Sequence, residues 1–174
     1  MGLADVTTRA FLGLGSNIGN RESYLDLAFK GLQKQSRILS IHSSSVYETS
    51  PWGLHTQPSF LNQVLEILTQ YQPAALFDVI RKIERQSNRQ RVTRWGPRTL
   101  DIDILLYGNL RMRDDKLVIP HPSISSRRFV LAPLAEIAPN LWMPGFRMTV
   151  IDLLDQCEDK GKIKIYRKST SNSR

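Results

Sequence analysis

Apolar and polar positions along the 174-residue chain change period several times, and each change marks an element. Ala10 to Leu14 is a short apolar run suited to a first strand, and Gly15-Ser16-Asn17 breaks it. Asn20 is placed to cap a helix over residues 21–34, in which Tyr24, Leu25, Ala28 and Leu32 recur at helical spacing. Residues 38–47 read as a polar-faced strand. Residues 48–59, with two prolines and a glycine, read as a loop. Residues 60–68 form a further apolar run. Pro73 suits the first turn of a second helix, whose inward stripe is Leu76, Phe77, Ile80 and Ile83. A second polar loop covers 87–97. Residues 100–107 read as a strand, and Gly108-Asn109 turns it toward 116–119.

The order strand, helix, strand, strand, helix, strand predicts an α+β fold. It is the order of a ferredoxin-like βαββαβ core, an antiparallel sheet with helices packed on one face, here followed by a C-terminal extension. Residues 1–159 are expected to form one domain of ordinary size, large enough to bury a core without staples. The single cysteine, Cys157, excludes an intramolecular disulfide and suits a reducing, cytoplasmic setting. No apolar run has bilayer-spanning length, so no membrane association is expected.

The net charge of +8 raises the question of nucleic acid, and its distribution changes the answer. Six basic residues and no acid lie from Lys160 onward, which leaves the body close to balance. Residues 160–174 are therefore expected as a flexible basic tail, although Ile163 and Ile165 alternate with lysines in a pattern compatible with a short edge strand. A second basic cluster, seven basic residues and one acid, runs from Arg81 to Arg98.

The sharpest chemical signal is Leu100-Asp101-Ile102-Asp103-Ile104. On a strand both carboxylates share one face, and Leu100, Ile102 and Ile104 take the other. Two like charges side by side on a strand repel, so something must compensate them. Magnesium, which takes one or two carboxylates together with phosphate oxygens, would do so; a solvated strand face is the plainer alternative. Just upstream, Arg89, Arg91, Arg94 and Arg98 offer guanidinium forks that match phosphate oxygens. On the strand over 60–68, Phe60 and Asn62 share a face, an aromatic plane beside an amide that suits a flat heterocycle or simply a core. Pro120-His121-Pro122, then Arg127 and Phe129, add an imidazole, a cation and another ring. Gly13-Leu14-Gly15 is followed by Ile18 where a dinucleotide fingerprint needs glycine, and no Gly-Lys-Ser/Thr loop occurs. Nucleotide binding must use neither a Rossmann nor a P-loop route.

Leu14-Gly15-Ser16-Asn17, Phe60-Leu61-Asn62, the run Arg94-Trp95-Gly96-Pro97-Arg98-Thr99-Leu100-Asp101-Ile102-Asp103, and Pro120-His121-Pro122 together resemble the 6-hydroxymethyl-7,8-dihydropterin pyrophosphokinase family. The resemblance spans about Phe11 to Leu154. It implies transfer of the pyrophosphoryl group of ATP to the pterin hydroxymethyl group. Two magnesium ions would be held by Asp101 and Asp103, and Arg98 with Arg89 and Arg91 would neutralise the transferred group. Glu84, Trp95, Ile104, His121 and Arg127 would frame ATP. Phe60 and Phe129 would sandwich the pterin, while Asn62 and the backbone at Trp52, Gly53 and Leu54 would read its edge. The two polar loops would close over bound substrates. The chain departs from many members at Ser125-Ser126 and at Arg128, which stands beside Phe129.

Two other readings remain at this point: a ferredoxin-like RNA-binding module, and an inactive relative that serves as a binding protein. The aspartate pair would repel a phosphate backbone in the first case, and no aromatic-rich RNA-binding strand is present. The second is disfavoured because the resemblance leaves no phosphate or metal position empty. Expected partners are ATP and a small pterin, without nucleic acid and without an obligate protein partner.

Overall fold

The computed structural model describes residues 6–51, 57–87 and 98–169. In chain order its elements are β1 (Thr8–Ser16), α1 (Arg21–Gln33), β2 (Ile38–Ser43), β3 (Val46–Thr49), β4 (Phe60–Thr69), α2 (Pro73–Gln86), β5 (Asp101–Tyr107), β6 (Met112–Arg113), β7 (Val118–Ile119), α3 (Arg128–Ile137), α4 (Val150–Asp155) and β8 (Ile163–Arg167), with a 3-10 turn over Ile124–Ser126 before α3.

The main sheet runs β5-β1-β4-β3-β8, β2 pairs with β4, and each of these pairings is antiparallel. The expected strand over 38–47 is thus two strands along one edge of β4. The break falls at Ser44-Ser45, where Ser44 Oγ accepts from Val64 N at 3.0 Å in place of a ladder partner. Disregarding this break and β8, the order is that of the ferredoxin-like core. β6 and β7 form a separate two-stranded ribbon.

Local signals account for the core helices. Asn20 caps α1 through its side-chain oxygen, which accepts from Ser23 N at 3.1 Å. Pro73 occupies the first turn of α2, where its missing N–H costs nothing. Leu25, Ala28 and Leu32 of α1 and Leu76, Ile80 and Ile83 of α2 bury against Ala10, Leu12 and Leu14 of β1, Leu61, Leu65 and Ile67 of β4, and Ile102 and Ile104 of β5. Both core helices therefore lie on one face, as the pattern predicts.

The opposite face carries α3 and α4, which the periodicity did not single out. Val130, Leu131 and Leu134 of α3 and Val150 and Leu153 of α4 form a second core with Phe11, Val64, Leu105 and Leu106. A register shift opposite Phe11/Leu12 makes Leu105 an extra residue in β5, so Leu105 and Leu106 both reach this second core. Both helices are short, and α3 contains Pro133, which explains why helical spacing alone did not reveal them.

The flexible tail expected from residue 160 gives way to an edge strand. β8 pairs with β3 from Thr49↔Ile163 to Val46↔Arg167, and Arg167 bonds to Glu22 at 3.3 Å and Asp26 at 3.2 Å on α1. Its alternating lysines keep the outer edge charged, a common protection of an exposed strand.

Glu136 of α3 joins the second helical layer to the strand break. Its carboxylate accepts from Ser45 N at 3.1 Å, from Ser45 Oγ at 2.7 Å and from Tyr47 Oη at 2.8 Å. Removing it strands the amide of buried Ser45. Glu136→Ala should lower unfolding stability by about 1–3 kcal/mol, measured as a shift of the urea midpoint at unchanged slope.

Candidate active site

A cavity forms where α3 stops covering the second sheet face. Strand alternation directs Gly13 and Gly15 of β1, Phe60 and Asn62 of β4, and Asp101 and Asp103 of β5 to that face, and the described wall is completed by Thr49, Ser50, Arg98, Arg127 and Phe129. The register makes it a grid: Gly15 lies between Asn62 and Asp101, and Gly13 between Val64 and Asp103. The glycines are the floor. A Cβ on Gly15 would come 3.1 Å from Asn62 Oδ1, and one on Gly13 would come 3.2 Å from Leu105 Cδ2.

One end is charged. Asp101 is paired with Arg98, whose Nη1 donates to its Oδ2. Asp103 is more open, with its side chain 41% exposed, and its Oδ2 lies 3.8 Å from His121 Nε2. The ring of His121 is fixed from behind: Ser123 N donates to Nδ1 at 3.2 Å, which places the ring proton on Nε2, facing Asp103. Burial, and then the Arg127 charge, pushes His121 down to about 4, so the imidazole is neutral at neutral pH. Burial also lowers Arg127 from its ordinary value, opposed by Asp103.

The other end is flat and mostly apolar. Phe60 and Phe129 are half-buried, and the Arg127 guanidinium lies 5.7 Å from the centre of the Phe129 ring. Asn62 donates to Thr49 Oγ1 at 2.7 Å, which orients its amide and turns Oδ1 toward Gly15.

Of the residues singled out from the sequence, Arg98, Asp101, Asp103, Phe60, Asn62, Arg127 and Phe129 line this cavity, and His121 stands behind Asp103. Two others are elsewhere. The Ile104 side chain is buried in the core beneath α1 and α2, because alternation along β5 turns it away from both aspartates. Glu84 is almost fully buried on α2, where Oε1 accepts from Ile102 N at 3.0 Å and Oε2 pairs with Arg81 Nη1 at 2.9 Å. It anchors the backbone between the aspartates and does not line the cavity. Trp52, Gly53, Leu54, Arg89, Arg91 and Trp95 lie outside the described residues, as do residues 52–56 of the first expected closing loop and 88–97 of the second.

Sequence reasoning gave no role to Thr49, to Ser50 or to Asn17. Asn17 is 2% exposed and clasps the stems of both polar loops. Its Oδ1 accepts from Arg98 N at 2.8 Å, its own N donates to Arg98 O at 3.1 Å, and its Nδ2 donates to Gln57 Oε1 at 3.2 Å and Pro58 O at 3.3 Å. Its signal in the sequence was its place in the Leu14-Gly15-Ser16-Asn17 motif, which assigned it no role of its own. Thr49 and Ser50 had no signal, since each depends on a strand pairing.

The donor set suits magnesium. Among the described residues no group of three or more His, Cys, Asp or Glu side chains could hold a metal ion by itself. Two adjacent carboxylates, one paired with a guanidinium, fit a hard cation whose remaining ligands come from water and phosphate oxygens. Among the described residues no helix is long and apolar enough to cross a membrane.

Comparison with known proteins identifies the family. Residues 11–139 match the family model described as 7,8-dihydro-6-hydroxymethylpterin-pyrophosphokinase (HPPK). A Bacillus subtilis protein named 2-amino-4-hydroxy-6-hydroxymethyldihydropteridine pyrophosphokinase is 45% identical over 128 residues, which is 74% of this chain and 77% of that protein. A Haemophilus influenzae protein of the same name is 38% identical over 156 residues, 90% of this chain and 97% of the other. Among solved structures, Plasmodium falciparum HPPK-DHPS with pteroate superposes with a TM-score of 0.69 at 15% identity, over 87% of this chain and 42% of that one. An HPPK-DHPS structure in complex with substrates gives 0.71 at 15% identity, over 87% and 44%. The chain thus spans less than half the length of those solved chains, and at such identity they speak to the fold alone. With the sequence match extending over most of the chain and the cavity built from its motifs, this protein belongs to the 7,8-dihydro-6-hydroxymethylpterin-pyrophosphokinase family.

Proposed function

We propose that the chain transfers the pyrophosphoryl group of ATP to the hydroxymethyl oxygen of 6-hydroxymethyl-7,8-dihydropterin, releasing AMP and the pterin pyrophosphate used in folate synthesis. The observation that carries this reading is the glycine floor. Gly15 lies in register between Asn62 and Asp101 and adds no side chain of its own between the two ends of the cavity, while Gly13 beside it leaves room for the Leu105 side chain. A polyphosphate at one end and a flat heterocycle at the other can therefore approach each other directly, which is the main requirement of phosphoryl-type transfer.

Asp101 and Asp103 would hold two magnesium ions. Bound there, magnesium supplies charge neutralisation for the ATP phosphate oxygens and aligns them. Arg98, paired with Asp101, lies at the charged end, where its guanidinium can meet the transferred group as charge develops. Neutral His121 presents Nε2–H beside Asp103 and can donate to a phosphate oxygen without adding charge. Buried Arg127 faces the same end, where Asp103 favours its charged form against the effect of burial. Phe60 and Phe129 stack on the pterin, and Asn62, oriented by Thr49, bonds its edge. In the reaction the hydroxymethyl oxygen forms a bond to the β-phosphorus. The bond from that phosphorus to the α-bridging oxygen breaks, its electron pair leaves on AMP, and the hydroxyl proton is released.

The direct assay is AMP formation from ATP with and without the pterin alcohol at fixed magnesium. AMP should appear only with the pterin and should cease on addition of EDTA. Asp101→Ala is expected to reduce kcat by about 100-fold or more; full turnover in that variant would remove the metal assignment. Gly15→Ala inserts a methyl 3.1 Å from Asn62 Oδ1. Steady-state kinetics should show its KM for the pterin raised by about tenfold, with the KM for ATP changed far less.

A further inference from the structure

Both walls of the flat end of the cavity are held by one short segment near the C-terminus, beyond the 11–139 stretch that matches the family. On one side, residues Thr49 and Ser50 line the cavity, and Thr49 orients Asn62. Ser50 is bound twice to Lys162: Ser50 N donates to Lys162 O at 3.0 Å, and Lys162 N donates to Ser50 Oγ at 3.0 Å. One residue before the wall, Glu48 pairs with Lys164 Nζ at 2.8 Å. The same carboxylate accepts from Arg21 at 3.1 Å and from Ser59 Oγ at 3.1 Å, so it joins the start of the 50–59 connection to its end, immediately before Phe60.

On the other side stands Phe129, in the first turn of α3. The N-cap position of this helix, Arg127, makes no side-chain capping bond. The free N–H groups of the first turn need an acceptor, and a carboxylate there is favoured by the helix dipole. Asp159 supplies it: Oδ2 accepts from Arg128 N at 3.1 Å, while Oδ1 accepts from Gly161 N at 2.8 Å. Gly161 is packed between the two anchorages. A Cβ there would meet Asp159 Oδ1 at 3.0 Å and Ser50 Oγ at 3.1 Å.

We propose that Asp159, Gly161, Lys162 and Lys164 form a positioning clamp that sets the spacing between the wall made by Thr49, Ser50 and Phe60 and the facing Phe129, and so tunes affinity for the flat substrate without touching it. The inference rests on the pterin assignment of this end of the cavity. Its chemistry is consistent with a role in position more than in bulk stability. The Lys164 side chain is 72% exposed, and ion pairs that open to solvent contribute little to folding. The ammonium of Lys164, ahead of Arg21 and Ser59, holds Glu48 below the usual carboxylate range.

The test uses the full chain with Asp159→Ala, Lys164→Ala, Lys164→Arg and, as a control on the same strand, Arg167→Ala, whose partners Glu22 and Asp26 lie on α1. Separate KM values for the pterin and for ATP are measured together with melting temperatures. The clamp requires the pterin KM to rise about threefold in Lys164→Ala and about tenfold in Asp159→Ala. The KM for ATP should stay within error, Lys164→Arg should restore the wild-type value, and Arg167→Ala should leave the pterin KM unchanged. Unaltered pterin KM values in both alanine variants would overturn the clamp while the reaction stands. So would parallel increases in both KM values with falling melting temperatures, which would mark the segment as general scaffolding. A wild-type protein with no pterin-dependent AMP would overturn the functional assignment and the clamp with it.

Discussion

The pairing of β1 between β4 and β5 is the constraint on which the site depends. Because side chains alternate along a strand, one register decides both faces at once. Ala10, Leu12 and Leu14 enter the core beneath α1 and α2, and the same register leaves Gly13 and Gly15 as the floor between Asn62 and the two aspartates. A slip of one residue would bury the aspartates under the helices and expose Ile102 and Ile104. The hydrophobic core thus specifies the polar geometry of the opposite face.

That face is divided. α3 and α4 cover the end with Phe11, Val64, Leu105 and Leu106, and the bulge at Leu105 adds an apolar side chain where the helix needs one. Beyond it the described residues leave the sheet open to the cavity, where the two aspartates, Asn62 and the rings of Phe60 and Phe129 stand. Two carboxylates on one strand would repel without compensation. Arg98 pairs with the first, and His121 with Arg127 stands near the second. Glu84, from the helical side, holds the backbone between them. The compensation comes from Arg98, three residues before Asp101, and from the distant 121–127 segment, so the charged end is complete only when the fold closes.

Loop stems are handled the same way. Asn17 bonds to Arg98 at the end of one polar loop and to Gln57 and Pro58 at the end of the other. Arg21 and Glu48 join the two ends of the segment before Phe60. The functional groups are thereby held on short, well-anchored residues next to longer connections, an arrangement that keeps first contacts precise while substrates enter.

Much of this was legible in the sequence. Alternation around Asp101 and Asp103 located the carboxylates on one face, helical spacing and the Asn20 and Pro73 signals located α1 and α2, and the order of elements predicted the sheet. These are local properties, set by periods of two and 3.6 residues and by capping chemistry. Other features were not local. The strand at Ile163–Arg167 exists because β3 offers an open edge, so a segment that looked like a basic tail became part of the sheet. α3 and α4 are too short for their periodicity to stand out, and their apolar residues have a place only against Phe11 and Leu105. The side chains of Ile104 and Glu84 lie in the core and against the backbone of Ile102, a placement set by strand alternation and helix packing. The sequence by itself determined which chemistry the chain carries and the face each strand residue takes. Tertiary structure alone decided which distant residues meet at the cavity, because hydrogen-bond partners and packing across a sheet depend on register and closure, which no local pattern encodes.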